Sequence, residues 1–549
     1  MTATTGRPSP TVTSQAPGSA LTGTGVLLRF LLRRDRVRLP AWAAGFGLFV
    51  LYLAAALPVA YDTEQDLDSI ALMFQGPVGR LMIGPGYGFD DPSFERFVAN
   101  GYGLYFLLLA ALMSILLVTR HTRVEEQTGR AELIRANVVG RHATLTATLA
   151  MAVITNLAVA VTVFVTMVSV GGYRTGGSAL FAAGIAAIGL GFAGVTVLTA
   201  QLTEYSRAAA GMAGAVLGAA FVLRAGGDMA REGGNVLSWL SPLGWGQQTA
   251  PFVLDRWWPL ALSLGLAAVT TALGIVLANR RDLAASLVAV KPGRPEATAA
   301  LGNPLGLAMR LQRGNIIGWT VGLALGGLLF GAYADALLAA VDDLPEVFSE
   351  LFGAADVLAG YLGYMAVFMS YLVSAYAVIA VQGLRAEETS GRADPVLATP
   401  VSRWAWLGSH LAVVAVAVVG LTAVTGVATG LGAAIVTGDT AHIGELTAAH
   451  LNHTPAALVV LGIAALLFAV LPRAISATWV VVGYGVIVGT FGPLMDLGQA
   501  AYNLSPFEHA AEMPLEPFAS QPLLILTLVA AGAVVLALVA FRRRSVNVS

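Results

Sequence analysis

A stretch of nineteen residues occurs twice in this chain. RVEEQTGRAELIRANVVGR runs from Arg123 to Arg141 and RAEETSGRADPVLATPVSR from Arg385 to Arg403, aligned without a gap at an offset of 262. The paired positions Arg123/Arg385, Glu125/Glu387, Glu126/Glu388, Gly129/Gly391, Arg130/Arg392 and Arg141/Arg403 keep charge and glycine in place while the apolar sequence around them drifts. Self-similarity at this distance makes the chain two related halves, which removes most other architectures before any element is assigned.

Apolar runs close to the roughly 20 residues that a helix needs to cross a bilayer centre on 41–60, 101–119, 144–170, 179–202, 208–224 and 257–278. They return at 316–334, 361–384, 406–437, 455–471, 476–494 and 521–541. None alternates as a barrel strand would, so the pattern predicts an all-α polytopic membrane protein of about twelve spans. Composition agrees, because 56% apolar and 11% charged residues in a chain of 549 fall far below the ~25% charge of a soluble domain. The first span starts after residue 40 with no small-residue cleavage site behind a short apolar core, so a removable leader is not expected. The absence of cysteine excludes thiol catalysis, iron–sulfur ligation and disulfides.

Twelve spans put both termini on one side. With residue 1 in the cytoplasm, 25 of the 31 Lys and Arg lie inside, and only Arg80, Arg96, Arg174, Arg224, Arg231 and Arg256 lie outside. That bias sets the orientation, with both termini and both copies of the repeated segment cytoplasmic. The duplication also extends past the repeated segment. Arg33, Arg36 and Trp42 match Arg310, Arg313 and Trp319 at an offset of 277, and Leu240-Ser241-Pro242 matches Leu504-Ser505-Pro506 at 264. Six spans per half is an even number, so the repeats are parallel. The expected organisation is a disordered, Ser/Thr/Pro/Gly-rich cytoplasmic tail at 1–24, a first six-helix half at 25–278, a cytoplasmic linker at 279–304 and a second six-helix half at 305–549. Residues 26–39, VLLRFLLRRDRVRL, read either as an amphipathic helix lying on the inner membrane surface or as a topogenic charge cluster. Gly322/Gly326 and Gly327/Gly331 give small-xxx-small spacings that suit ordinary helix packing.

The spans hold no Asp, Glu, Lys or Arg near their centres; Glu204, Arg207 and Arg224 sit at ends. An ion-coupled carrier normally carries an ionisable group at membrane depth. A phosphate-binding GxxxxGK[ST] loop is also missing, and the only lysine is Lys291 in VAVKPGRP, so the chain does not hydrolyse nucleotide itself. The energy source left is a separate ATPase docking on the cytoplasmic face, and the repeated segments offer two sockets. Each copy reads as a short surface helix whose Glu and Arg can pair with complementary charges on a partner, with Pro395 and Pro400 breaking the second copy into a turn.

At these residues the chain resembles a known family. EETSGRADPVLATPVSRW, 387–404, is similar to the coupling region after the second span of ABC-2 type transporter permeases, and the fused twelve-span form resembles actinobacterial antibiotic and multidrug exporter permeases. The first copy departs from that pattern, with Asn137-Val138-Val139-Gly140 where Thr399-Pro400-Val401-Ser402 stands. The resemblance implies two parallel six-helix repeats of the ABC-2, type V exporter-like architecture in a bacterial plasma membrane. It implies a homodimer of ATP-binding subunits as partner, with ATP and Mg bound by that partner and no cofactor, metal or catalytic residue in this chain. The implied coupling residues are the twelve paired positions named above, and the implied cargo is a hydrophobic or amphipathic molecule, such as an antibiotic, drug or lipid, moved outward. Membrane lipid is an expected partner and nucleic acid is not.

Tyr361, Tyr364, Phe368 and Tyr371 recur on one helical face of the eighth span, with Tyr102, Tyr105 and Phe106 in the second. They can line a cavity for an amphipathic substrate or pack helices. The acidic stretches at 61–68 and 335–350 read as outside loops or as an exit funnel, and His442, His450 and His453 with Glu445 are spaced too irregularly for a convincing zinc site. The competing reading is an ion-coupled twelve-span secondary carrier, whose shorter GxxxDRxGR-type loop this chain does not match. No paired carboxylates, histidine box or nucleophile motif within the spans supports a membrane enzyme.

Overall fold

The computed structural model describes residues 19–61, 67–280, 295–334, 337–338, 357–491 and 497–544. The tail up to residue 18, most of both acidic stretches and the linker between 281 and 294 lie outside these residues. The chain forms two compact units, Met1–Lys291 and Pro292–Ser549. Every regular element among the described residues is helical, and twelve helices are long and apolar enough to cross a membrane. This is an all-α polytopic membrane protein.

In the first unit a helix at Thr24–Arg34 precedes the spans Arg38–Val59, Gly103–Gln127, Ala143–Ser169, Thr175–Leu202, Ser206–Ala230 and Pro259–Ala278. The short helix is separate from the first span and lays Leu27, Leu28, Leu31 and Leu32 against Ala147 and Met151 of the third, so the first part of the 26–39 segment is helical and 38–39 already belong to the first span. The fourth span is the hub, 89% buried, and small residues let its neighbours approach. A Cβ at Gly194 would lie 2.7 Å from the Ala267 carbonyl of the sixth span, so backbone packs on backbone where lipid offers no hydrophobic drive. The short helices Pro77–Ile83, Val236–Trp239 and Pro242–Gln247 close the end of the bundle opposite the repeated segment; we call this the cap end and the other the loop end.

Arg224 is fully buried rather than merely terminal. It pairs with Asp228 at 3.2 Å one turn further on and donates to the carbonyls of Arg80 and Leu81 at the C-terminus of the Pro77–Ile83 helix. Helix-end carbonyls are a favourable place for a cation, so the pair locks the cap to the fifth span.

The second unit has the spans Pro304–Ala332, Val357–Thr389, Arg403–Thr437, Ala441–Val470, Pro472–Thr490 and Ser520–Arg543. Its most buried spans are the eighth and tenth, 72% and 67%. Gly327 and Gly331 press on the backbone of Thr425 and Thr429 in the ninth span, which is the packing role expected for that spacing. The stretch matching the first unit's surface helix is here part of one unbroken helix, Pro304–Ala332. His410 is buried beside Trp406, ring centroids 5.1 Å apart. Among the described residues no group of three or more His, Asp or Glu converges as a metal site; His442 meets Glu445 at 3.4 Å while His450 turns to Thr429 and the Leu446 carbonyl.

Candidate coupling site at the repeated segments

The repeated segment is not one surface helix. Glu125 and Glu126 lie on the last turns of the second span, and Glu387 and Glu388 on the last turns of the eighth. The short helices begin only afterwards, at Arg130–Arg135 and Asp394–Leu397. The breaks fall at Gly129 and Gly391, with φ of +72° and +69°. An L-residue enters that left-handed region at a cost glycine does not bear, which explains the paired glycines by backbone geometry. In the first copy the span reaches this break through a π-helical turn at Arg120–Val124; in the second the α-helix continues to Thr389.

All four glutamates are engaged within their own unit. Glu125 is buried and takes Arg34 of the surface helix at 2.5 Å, with Arg130 at 3.9 Å. Glu126 takes Arg123 at 2.8 Å, and Arg123, fully buried, also donates to the Ala200 carbonyl at the end of the fourth span. In the second copy Glu387 receives two bonds of 2.9 Å from Arg392, which keep that guanidinium more firmly protonated than usual. Glu388 is buried against Arg544 at the end of the twelfth span, and Arg544 stacks 5.1 Å from the ring centres of both Phe468 and Phe541. Arg385, paired in sequence with Arg123, is half-buried and makes no side-chain hydrogen bond or ion pair among the described residues. Each of these carboxylates thus braces the segment within its own unit.

Arg141 and Arg403 repeat one role. Arg141 donates to the Asn279 carbonyl at 2.8 Å and Arg403 to the Arg542 and Arg544 carbonyls, so each ties the start of the third or ninth span to the C-terminus of the sixth or twelfth. Residues 19–23, within the stretch read as tail, are also held: the Gly140 N–H donates to Thr22 and that of His142 to Ala20. A second brace escaped the sequence reading. Asp35, buried, accepts from His121 at 2.7 Å and pairs with Arg120 at 2.7 Å, fastening the surface helix to the second span. Its only sequence signal was an acid inside the basic run RRDRVR.

What faces outward is different. Arg130 and Arg392 are 58% and 56% exposed, Leu133 and Val138 are 71% and 79% exposed, and the residues at their matched positions, Pro395 and Pro400, are exposed as well. Each copy thus presents one cation followed at fixed spacing by two apolar side chains.

The aromatic stripe divides. Tyr361 donates to the Phe330 carbonyl at 3.0 Å and Phe368 meets the Phe330 ring edge-on, so these two pack on the seventh span. Tyr364 reaches Thr490 at 3.2 Å and Tyr371 meets Phe507 at 4.7 Å between ring centres, toward the eleventh span and the cap. In the first unit Tyr102 lies between Phe97 and Tyr105, while Tyr105 is exposed and Phe106 stacks on Phe49. A groove of about 410 Å³ is lined instead by Gly318, Trp319, Gly322, Phe330, Met369 and Leu372, among others.

Twelve apolar helices and two braced repeats define a multi-pass membrane protein with a doubled segment at one end of its spans. The chain belongs to the family of multidrug efflux system permease Rv1217c, whose C-terminal domain model matches residues 27–277 and 301–542. It is 36% identical over 537 residues to the multidrug efflux system permease protein Rv1217c of Mycobacterium tuberculosis (strain ATCC 25618 / H37Rv), covering 96% of each chain. The family of exporter permeases anticipated from the EE-GR segments is the one found.

Proposed function

We propose that the chain is the membrane subunit of an ATP-driven ABC exporter in a bacterial plasma membrane, with both termini and the loop end in the cytoplasm. A homodimer of ATP-binding subunits, which bind ATP and Mg, docks on the two repeated segments, and the cargo is a hydrophobic or amphipathic molecule such as an antibiotic or drug. One observation carries this reading: at matched positions both copies expose a cation and two apolar residues, Arg130, Leu133 and Val138 against Arg392, Pro395 and Pro400, while each carboxylate pairs with an arginine of its own unit. Desolvated apolar anchors rimmed by an arginine are the usual core of a docking face. The internal ion pairs make each segment stiff relative to its spans, so a push on it moves helices rather than bending a loop.

The chain has no cysteine, so single cysteines introduced at Leu133 and Pro395 are clean crosslinking handles. Reconstituted with its ATPase, each should crosslink to that subunit, and Leu133→Asp should uncouple transport of a fluorescent amphiphile from ATP hydrolysis. Transport driven by a proton gradient in vesicles without any ATPase would replace this reading with the secondary carrier.

A further inference from the structure

The duplicated LSP element begins alike in both units and then diverges. Ser241 and Ser505 each accept a backbone N–H two or three residues on, from Gly244 and Phe507 respectively. Beyond the proline, Leu243-Gly244 of the first unit aligns in sequence with Phe507-Glu508 of the second at the same offset of 264. The first unit's cap keeps its buried carboxylate, Asp228, neutralised by Arg224 and by the Ser238 hydroxyl at 2.6 Å. In the second unit Val488 stands at the position of Arg224, so a carboxylate there has no such cation.

Glu508 Oε1 is buried and has no hydrogen-bond partner among the described residues, and the same is true of the Tyr371 hydroxyl, on a residue only 3% exposed. Both oxygens flank Gly489 of the eleventh span. A Cβ added there would collide with the Tyr371 hydroxyl and lie 2.8 Å from Glu508 Oε1, so the two atoms are close enough for one N–H-bearing group to reach both. The walls are aromatic: Phe507 and Tyr371 meet edge-on, and Tyr364 lies two turns away along the eighth span. Among the described residues, the charged and titratable groups near Glu508 are Tyr364 and Tyr371 from the eighth span and His509, Glu512 and Glu516 from the cap; the eleventh span meets them with Gly485, Gly489 and Thr490. His509 is turned to the Asn503 carbonyl and Glu516 to the Glu512 N–H. Acids are therefore gathered at an aromatic site with no guanidinium or ammonium among the described residues to answer them.

We propose that Glu508 and Tyr371 form a binding subsite for a protonated amine carried on an apolar body, at the cap end of the second unit. The carboxylate supplies the counter-charge, the tyrosine oxygen a second acceptor, and the Phe507 and Tyr371 rings the surface that attracts both an organic cation and its apolar carrier. A hard metal ion is a poor occupant, since calcium takes six to eight oxygen ligands and magnesium a near-ideal octahedron. Burial, then the neighbouring Glu512, pushes the Glu508 carboxyl up to about 7, so the site is charged above neutrality and discharges as the medium acidifies. The inference rests on the export reading only for its meaning, as an exit site that releases cationic cargo where the outside is acidic.

The test uses the purified full chain in detergent, with neither ATPase nor ATP, and two probes of matched shape, naphthylmethylamine and the uncharged naphthylmethanol. Equilibrium dialysis at about pH 8 should give at least about tenfold tighter binding of the amine. Glu508→Gln should erase that preference, Tyr371→Phe should reduce it about threefold, and the affinity for the alcohol should stay unchanged in both. The preference should also shrink as pH falls to about 6. Equal binding of the two probes by the native chain, or a preference that survives Glu508→Gln, overturns the proposal; the carboxyl is then a proton-binding group only. Glu508→Gln keeps shape and removes a buried charge, so loss of folding does not confuse the result. If amine binding behaves as stated while ATP-dependent transport fails, the export reading falls and the site remains.

Discussion

The two halves carry the same acidic pair and brace it from opposite ends of their own units. In the first, Glu125 reaches an arginine of the helix that precedes the first span, while Glu126 holds an arginine of its own turn. In the second, Glu387 is taken by the arginine just past the glycine, and Glu388 reaches an arginine that ends the last span. The first half adds Asp35 with Arg120 and His121, for which the second has Gln312, Gln382 and Gly383 at the matching offsets. The lesson is that the duplication preserved a requirement, a charged segment fixed rigidly to its span, and not the particular partners that meet it.

The comparison can be broken most forcefully at Arg123 and Arg385. Arg123→Ala leaves Glu126 and the Ala200 carbonyl without their buried cation and should cost about 3–5 kcal/mol, whereas Arg385→Ala should stay within about 0.5 kcal/mol; thermal unfolding of the detergent-solubilised chain separates them. Next come the terminal braces. Arg544→Ala strands Glu388 in a buried setting and uncovers Phe468 and Phe541, a loss of about 2–3 kcal/mol. Arg34→Ala leaves Glu125 with Arg130 nearby and should cost about 1 kcal/mol. Reversed sizes in the same melting experiment would mean the first half's brace is the stronger.

A smaller effect depends on pH. A carboxyl raised from 4.5 to about 7 on folding favours the folded state while protonated; that contribution is complete below 4.5 and is lost as pH rises through about 7. Glu508→Gln should therefore melt with the native chain at about pH 5 and a few degrees above it at about pH 8. The matched position, Gly244, gives the first unit no such dependence. Small and alike effects are expected at the paired glycines: Gly129→Ala and Gly391→Ala should each cost about 1 kcal/mol, because both φ values are positive and nearly equal. A large inequality between them would show that one turn is held by side-chain packing instead.

Much of the fold was legible because a membrane span announces itself by local composition. All twelve apolar runs correspond to candidate spans, and the Leu-Arg run beginning at residue 26 lies on a separate short helix, Thr24–Arg34, before the first of them. The paired Glu and Gly positions were equally visible, but their purpose was not. Arg34 is 91 residues from Glu125, and Arg544 is 156 from Glu388; no periodicity connects residues that far apart, so the carboxylates looked free to meet a partner. The neighbours of the aromatic stripe were hidden for a related reason. Helical spacing places Tyr361 and Tyr371 on one side of a helix but says nothing about two different neighbours dividing that side. Glu508 was hidden inside a repeat noticed only for its first three residues, and comparing the next two, Leu243-Gly244 with Phe507-Glu508, would have exposed it.

The acidic pairs are held inside their own units and leave the arginine and apolar positions to face outward. A double-mutant cycle on Glu388 and Arg544, read by thermal unfolding of the chain alone, tests it most directly. Glu388→Gln and Arg544→Gln, singly and together, should give a coupling energy of about 1–3 kcal/mol with no ATPase present. Coupling below about 0.3 kcal/mol would mean that the two residues are independent in the isolated chain, and the glutamates would return to being candidates for direct contact with a partner.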